Sequence, residues 1–292
     1  MIKSLNSNSK KFNQELNKFL NLRIKNINLR NYKVFKIVDD VKKNGDKALI
    51  KYEKKFNANS KINISNLDIK KCIKKLDNKV RKSIDLAYNR IIKYHSNQKF
   101  NGFKTKDKLN NKFEYKFFPI EKVGIYVPGG SASYPSTVLM NAIPALLAKV
   151  KKIVMTSPFS KGKLNPGVIY AAHKCKIKDI YCIGGAQAIA ALAYGTKKIE
   201  KVNKIVGPGN KFVTAAKKEV FGDVGIDMIA GPSEILVVSD KNNDPSWIAA
   251  DLLSQAEHDI NSRAILLTDD LSFARKVIKS INLILKKLPR SK

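Results

Sequence analysis

Apolar positions in the first third of the chain recur at the three-to-four-residue spacing of amphipathic helices. Between Tyr32 and Phe56 the set Val34, Ile37, Val38, Val41, Ala48, Leu49, Tyr52 and Phe56 marks one helical face. Asn44-Gly45 interrupts it and predicts two helices joined by a turn. Ser4 to Leu29 is more polar and predicts a helical segment with little apolar surface to fix its position. Ile69 to Gln98 predicts further helix, divided near Asp77-Asn78, with Cys72, Ile73, Leu76, Ile84, Ala87, Ile91 and Ile92 among its apolar positions. From Phe100 to Phe118 aromatic and basic residues alternate, as in Phe113-Glu-Tyr-Lys-Phe-Phe. Such interleaving suits single-stranded nucleic acid. It equally describes an edge strand or hairpin with lysines on its wet face, and that reading is preferred.

The texture changes at Val123. Gly, Pro and Ala become frequent, and short apolar runs alternate with helical stretches. Strands are predicted at Val123 to Val127, Lys152 to Ser157, Ile180 to Ile183 and Val202 to Val206. Helices are predicted at Ser136 to Val150, Asn165 to Cys175, Ala188 to Tyr194 and Lys211 to Phe221. The stretch from Asp227 reads as a strand, then the turn Gly231-Pro232-Ser233-Glu234, then a strand from Ile235 to Ser239. A helix from Pro245 to His258, a strand from Arg263 to Thr268 and a helix from Leu271 to Leu288 follow. Repeated βα units with glycines at the strand-to-helix turns predict an α/β fold, a parallel sheet with helices on both faces.

In such sheets ligands bind outside the strand C-termini. Three Gly-rich turns fall there: Pro128-Gly-Gly130, Gly184-Gly185 and Gly207-Pro-Gly209. Each offers backbone N–H groups beside a positive helix end, which suits a pyrophosphate. None matches a dinucleotide fingerprint or a P-loop. Tyr126, Gln187 and Asn210 sit beside the turns. A Tyr can stack on a flat ring, and the amides can bond a ribose or carboxamide. A core Tyr and two helix caps are the competing readings. Ser233 lacks the surroundings of a nucleophile and reads as a substrate-binding hydroxyl. Gln255 and His258 lie three apart and share a helical face. Together they can ligate a divalent metal, or His258 can be a surface group favoured by the helix C-terminus. His95 and His173 read as structural.

The formal charge of +32 changes the picture less than its size suggests. It comes almost wholly from Lys, accompanied by much Asn and Ile, which share A/T-rich codons. Arg, the usual reader of bases and phosphates, is scarce, so no specific nucleic-acid partner is expected. Cys72, Cys175 and Cys182 form no C-x-x-C pair and read as reduced packing residues. The first residues lack the apolar core of a signal peptide, and no run is long enough for a membrane span, so a cytoplasmic protein is expected.

Five motifs in series are similar to the histidinol dehydrogenase family. They are Val123-Gly-Ile-Tyr-Val-Pro-Gly-Gly, Ile183-Gly-Gly-Ala-Gln-Ala-Ile-Ala-Ala-Leu-Ala-Tyr-Gly-Thr, Gly207-Pro-Gly-Asn, Gly225-Ile-Asp-Met-Ile-Ala-Gly-Pro-Ser-Glu and Ser254-Gln-Ala-Glu-His-Asp. The similarity runs from about Tyr32 to about Leu288. It implies zinc-dependent oxidation of L-histidinol to L-histidine through L-histidinal, with NAD as oxidant, in a homodimer holding one Zn2+ per subunit. It also implies two Rossmann-like parallel-sheet domains of aldehyde-dehydrogenase-like kind, the second inserted in the first. Residues 1–31 would form a helical segment, 32–125 with 235–292 the first domain, and 126–234 the insert. Tyr126, Gln187 and Asn210 match NAD-contacting positions. Ser233, Gln255 and His258 match substrate-binding positions, and Gln255 and His258 also match zinc ligands. The family's acid/base Glu-His pair and its remaining zinc ligands fall beyond Lys292, so no catalytic residue is assigned within this sequence. An enzyme represented by its N-terminal part is one expectation. A catalytically inactive remnant that keeps an NAD-binding or dimerising α/β module is the alternative.

Overall fold

A computed structural model describes residues 2–26, 32–98, 101–129, 134–158, 163–229, 234–257 and 262–288. The chain forms two compact units, Met1–Ile229 and Ala230–Lys292.

The first unit opens with α1 (Phe12–Asn26), α2 (Tyr32–Asn57), α3 (Asn66–Lys74) and α4 (Asn78–His95). Gly45 breaks α2 with φ 51 and ψ −128, so the two halves expected around Asn44-Gly45 are present as one kinked helix. α3 begins in a capping box, with Ser65 and Asp68 bonding each other's backbone N–H groups. Asp77 caps α4, at the division expected there.

β1 (Phe103–Lys106) and β2 (Lys112–Tyr115) then pair antiparallel. Asp107 holds the connecting loop through the N–H groups of Leu109 and Asn111. Every side chain of both strands is exposed, so the hairpin has two wet faces rather than the one expected.

Four βα steps and a last strand follow: β3 (Lys122–Tyr126), α5 (Pro135–Leu147), β4 (Lys152–Thr156), α6 (Pro166–Lys174), β5 (Asp179–Tyr181), α7 (Gly185–Tyr194), β6 (Lys204–Val206), α8 (Lys211–Val220) and β7 (Gly225–Ile226). The strands form one parallel sheet in the order β5-β4-β3-β6-β7. The chain winds outward from β3 to β5, then crosses back to add β6 and β7 on the other side. The direction of winding therefore reverses between β3 and β6. Strand β7 lies just before the strand expected from Asp227 and is two residues long.

Both faces of the sheet are covered, as the near-continuous apolar strands require. On one face α2, α7 and α8 enclose Leu49, Val154, Ile189, Leu192, Ile205 and Val213. On the other, α3 to α6 enclose Ile84, Ile125, Leu139, Ile143, Met155 and Ile169. Cys72, Cys175 and Cys182 all belong to this second layer.

The second unit contains β8 (Glu234–Val238), α9 (Pro245–Ala256), β9 (Arg263–Leu267) and α10 (Leu271–Leu285). β8 and β9 pair in parallel. Their Ile235, Val237 and Leu266 pack on Ile248, Leu252, Phe273 and Val277 of the helices. This is the α/β class read from the sequence. No described helix is long and apolar enough to cross a membrane.

Candidate functional site

The winding reverses between β3 and β6, and the C-terminal edge of a sheet at such a reversal is where these folds take ligands. Tyr126 ends β3 on one side of the reversal, and Gly207-Pro208-Gly209 follows β6 on the other. Gly207 adopts φ 114, and a Cβ there would stand 2.2 Å from the Tyr126 carbonyl oxygen. Only glycine fits so close an approach.

That turn is gripped at a single residue. The Gly207 N–H donates to Asp227 Oδ2 at 2.8 Å, and the Gly207 carbonyl accepts from Lys217 Nζ at 3.0 Å. Lys217 also bonds Asp227 Oδ1, closing the loop between them. Lys217 is buried on α8, while Asp227 follows β7. A buried ammonium is tolerated because a carboxylate and a carbonyl both receive it.

The Gly184-Gly185 turn is also held from inside. α7 starts there with no side-chain cap of its own. The carboxylate of Glu53 on α2 occupies that end, accepting from Gly184 N–H at 2.9 Å and from Gln187 Nε2 at 2.7 Å through Oε1. Its Oε2 accepts from Asn57 Nδ2 at 2.7 Å. The next amide, Gly185 N–H, donates to Tyr126 Oη at 3.1 Å. Glu53 is fully buried, and burial pushes its carboxyl above the ordinary range despite the three donors. Tyr126 is pushed up to about 12, chiefly by burial. The positive helix end that the sequence offered to a pyrophosphate therefore already faces an internal carboxylate.

Tyr126 and Gln187 are thus core residues at the sheet edge, 3% and 1% exposed. Asn210 caps α8, its Oδ1 accepting from the N–H groups of Phe212 and Val213. It remains exposed with its Nδ2 directed away from the cap bonds. Phenol and amide groups are neutral hydrogen-bond partners. Of the three only Asn210 is exposed, and its amide suits a ribose hydroxyl or a carboxamide better than a phosphate.

In the second unit Gln255 is half-buried in the last turn of α9. Ser233 and His258 lie outside the described residues. Among the described residues no group of three or more His, Cys, Asp or Glu side chains is arranged to hold a metal. An amide oxygen and one imidazole supply part of the three or four ligands zinc takes. His95 is half-buried and bonds Gln98 Oε1 through Nδ1 at 2.6 Å, and His173 is exposed in the last turn of α6.

Pattern reading passed over Glu53 and Lys217. Both are charged residues on amphipathic helices, where a wet face is the usual fate. The available signal was position: Glu53 follows Leu49 by four residues, on the buried stripe of α2.

A doubly wound parallel sheet with glycine turns at its winding reversal defines an α/β protein of the dinucleotide-fold class. The chain belongs to the histidinol dehydrogenase family, whose model matches residues 22–292. Histidinol dehydrogenase of Pelagibacter ubique is 59% identical over all 292 residues, and the match covers 68% of that protein. The histidinol dehydrogenase of Rhizobium meliloti is 49% identical over 259 residues, 87% of this chain and 60% of that protein. A crystal structure of histidinol dehydrogenase from Elizabethkingia anophelis superposes with a TM-score of 0.82 at 42% identity, covering 89% of this chain and 61% of that one. The chain thus spans about two thirds of the length of the relatives it matches.

Proposed function

We propose that this polypeptide carries the NAD-binding part of a cytoplasmic histidinol dehydrogenase, which oxidises L-histidinol through L-histidinal to L-histidine. The observation that carries the reading is the 59% identity to a histidinol dehydrogenase across every residue of the chain. The positions of the matched residues support it: Tyr126 ends β3, Gln187 lies in the first turn of α7 after β5, and Asn210 follows β6, all at the C-terminal ends of strands of one parallel sheet.

In this reading the exposed Asn210 meets the cofactor directly, and the buried Tyr126 and Gln187 set the shape of the sheet edge against which it lies. Lys217 and Asp227 keep the intervening turn still, so that the cofactor's reactive ring is oriented rather than merely bound. Ser233, Gln255 and His258 bind histidinol, and Gln255 and His258 contribute to a zinc site completed by other ligands. Zinc, when bound, would orient the substrate and polarise its alcohol. The protein assembles as a homodimer, with residues 126–234 inserted between two parts of a first domain.

Calorimetric titration with NAD, followed by an NADH assay with L-histidinol and zinc, tests this. NAD binding with NADH formation supports the full reading. NAD binding without turnover assigns the chain the cofactor-binding role alone. Absence of NAD binding overturns it.

A further inference from the structure

The buried Glu53 has no part in the roles assigned so far. It comes from α2, outside the βα repeats, yet its carboxylate lies at the start of α7. A helix start carries N–H groups without intrahelical partners and a positive end. α7 supplies no cap for itself. Glu53 meets this need from a residue 131 positions away.

Its bonds also fix an orientation. Glu53 Oε1 accepts from Gly184 N–H, and the Gln187 amide turns Nε2 toward the same oxygen. Gln187 Oε1 is thereby directed toward the Gly185 side of the turn, where a Cβ on Gly185 would approach it to 2.9 Å. Gly185 takes φ 67, a conformation other residues avoid. Successive amides of the turn are thus satisfied within the protein, Gly184 by Glu53 and Gly185 by Tyr126. An arriving phosphate would find no open N–H in that pair and a carboxylate facing it.

We propose that Glu53 is a positioning residue of the cofactor site. It holds the Gly184-Gly185 turn and the Gln187 amide in the arrangement a dinucleotide meets, and it keeps phosphate off the start of α7. This rests on the NAD-binding reading above.

The test is NAD titration of the 292-residue chain and of three variants, with inorganic phosphate as a second probe. Glu53→Ala removes all three acceptor contacts and weakens NAD binding by about tenfold or more, the equivalent of one lost charged hydrogen bond. Glu53→Gln keeps a carbonyl for Gly184 and Gln187, and its amino group donates to Asn57 once that amide turns over. It binds NAD within about threefold of wild type. Leu49→Ala, one turn earlier on α2 and equally buried, lowers thermal stability without touching the turn and leaves NAD affinity unchanged. Phosphate raises the melting temperature of Glu53→Ala and not that of wild type, an effect a purely structural role would not produce.

Wild-type affinity in Glu53→Ala, or an equal loss in Leu49→Ala, overturns the positioning role while the NAD reading stands. A wild-type chain that binds no NAD overturns both. If Glu53→Ala does not fold, Glu53→Asp withdraws the carboxylate by one methylene. Several-fold weaker NAD binding is then expected, and unchanged binding overturns the role.

Discussion

At the scale of single residues, the winding reversal is built on groups whose chemistry leaves little room for substitution. Asp227→Asn leaves the Lys217 ammonium buried without its carboxylate, which costs about 3 kcal/mol of stability. Urea unfolding reads that loss, and a change below about 0.5 kcal/mol would show that water already screens the pair. Gly207→Ala combines a forbidden φ with a 2.2 Å approach to the Tyr126 carbonyl oxygen, so the turn must move. A drop in NAD affinity larger than the drop in stability is expected, and calorimetry beside thermal melting separates the two. Tyr126 and Asn210 were legible because a strand end and a helix start are visible in sequence. Glu53 and Lys217 were not, because a charged side chain on a helix normally faces water. Their burial depends on a partner from a distant element, which no local pattern encodes.

At the scale of elements, α2 is the informative case. The Asn44-Gly45 break was readable from composition, but the device that bridges it was not. Asp40, before the kink, accepts from Asn44 Nδ2 at 2.7 Å and from Lys51 Nζ at 3.0 Å and Tyr52 Oη at 2.8 Å beyond it. The Asn44, Lys51 and Tyr52 donors pull its carboxyl from 3.8 down to about 2. A lowered folded-state value means the contribution is present above the unfolded value and lost as pH falls through the folded one. Stability from Asp40 should therefore disappear between about pH 4 and pH 2. Asp40→Asn should be less stable at neutral pH and should show a shallower loss across that acid interval in chemical unfolding. Identical acid profiles would remove Asp40 from the account. Element types were recovered well where periodicity ran long, as in α4 and α10. β7 was misplaced because two residues carry no period.

At the scale of the whole molecule, the βα alternation and its glycine turns made the doubly wound sheet readable, whereas the order of its strands is a tertiary fact. The excess of positive charge belongs to this scale too. With 56 Lys and Arg against 24 Asp and Glu, the chain should retain duplex DNA of any sequence at low salt. It should release it between about 50 mM and 200 mM salt, by counterion release. Retention of one sequence over others at physiological salt would mean a built nucleic-acid site instead. The three cysteines carry a different consequence. All lie in the layer between the sheet and α3 to α6, and burial holds the Cys175 and Cys182 thiols up at about 12. Thiolate is the form that alkylating reagents attack, so the folded molecule should be nearly inert to them at neutral pH. Labelling would then proceed only as fast as that one layer opens. The molecule carries its own clock for the breathing of half its core, and the layer formed by α2, α7 and α8 stays silent in the same experiment.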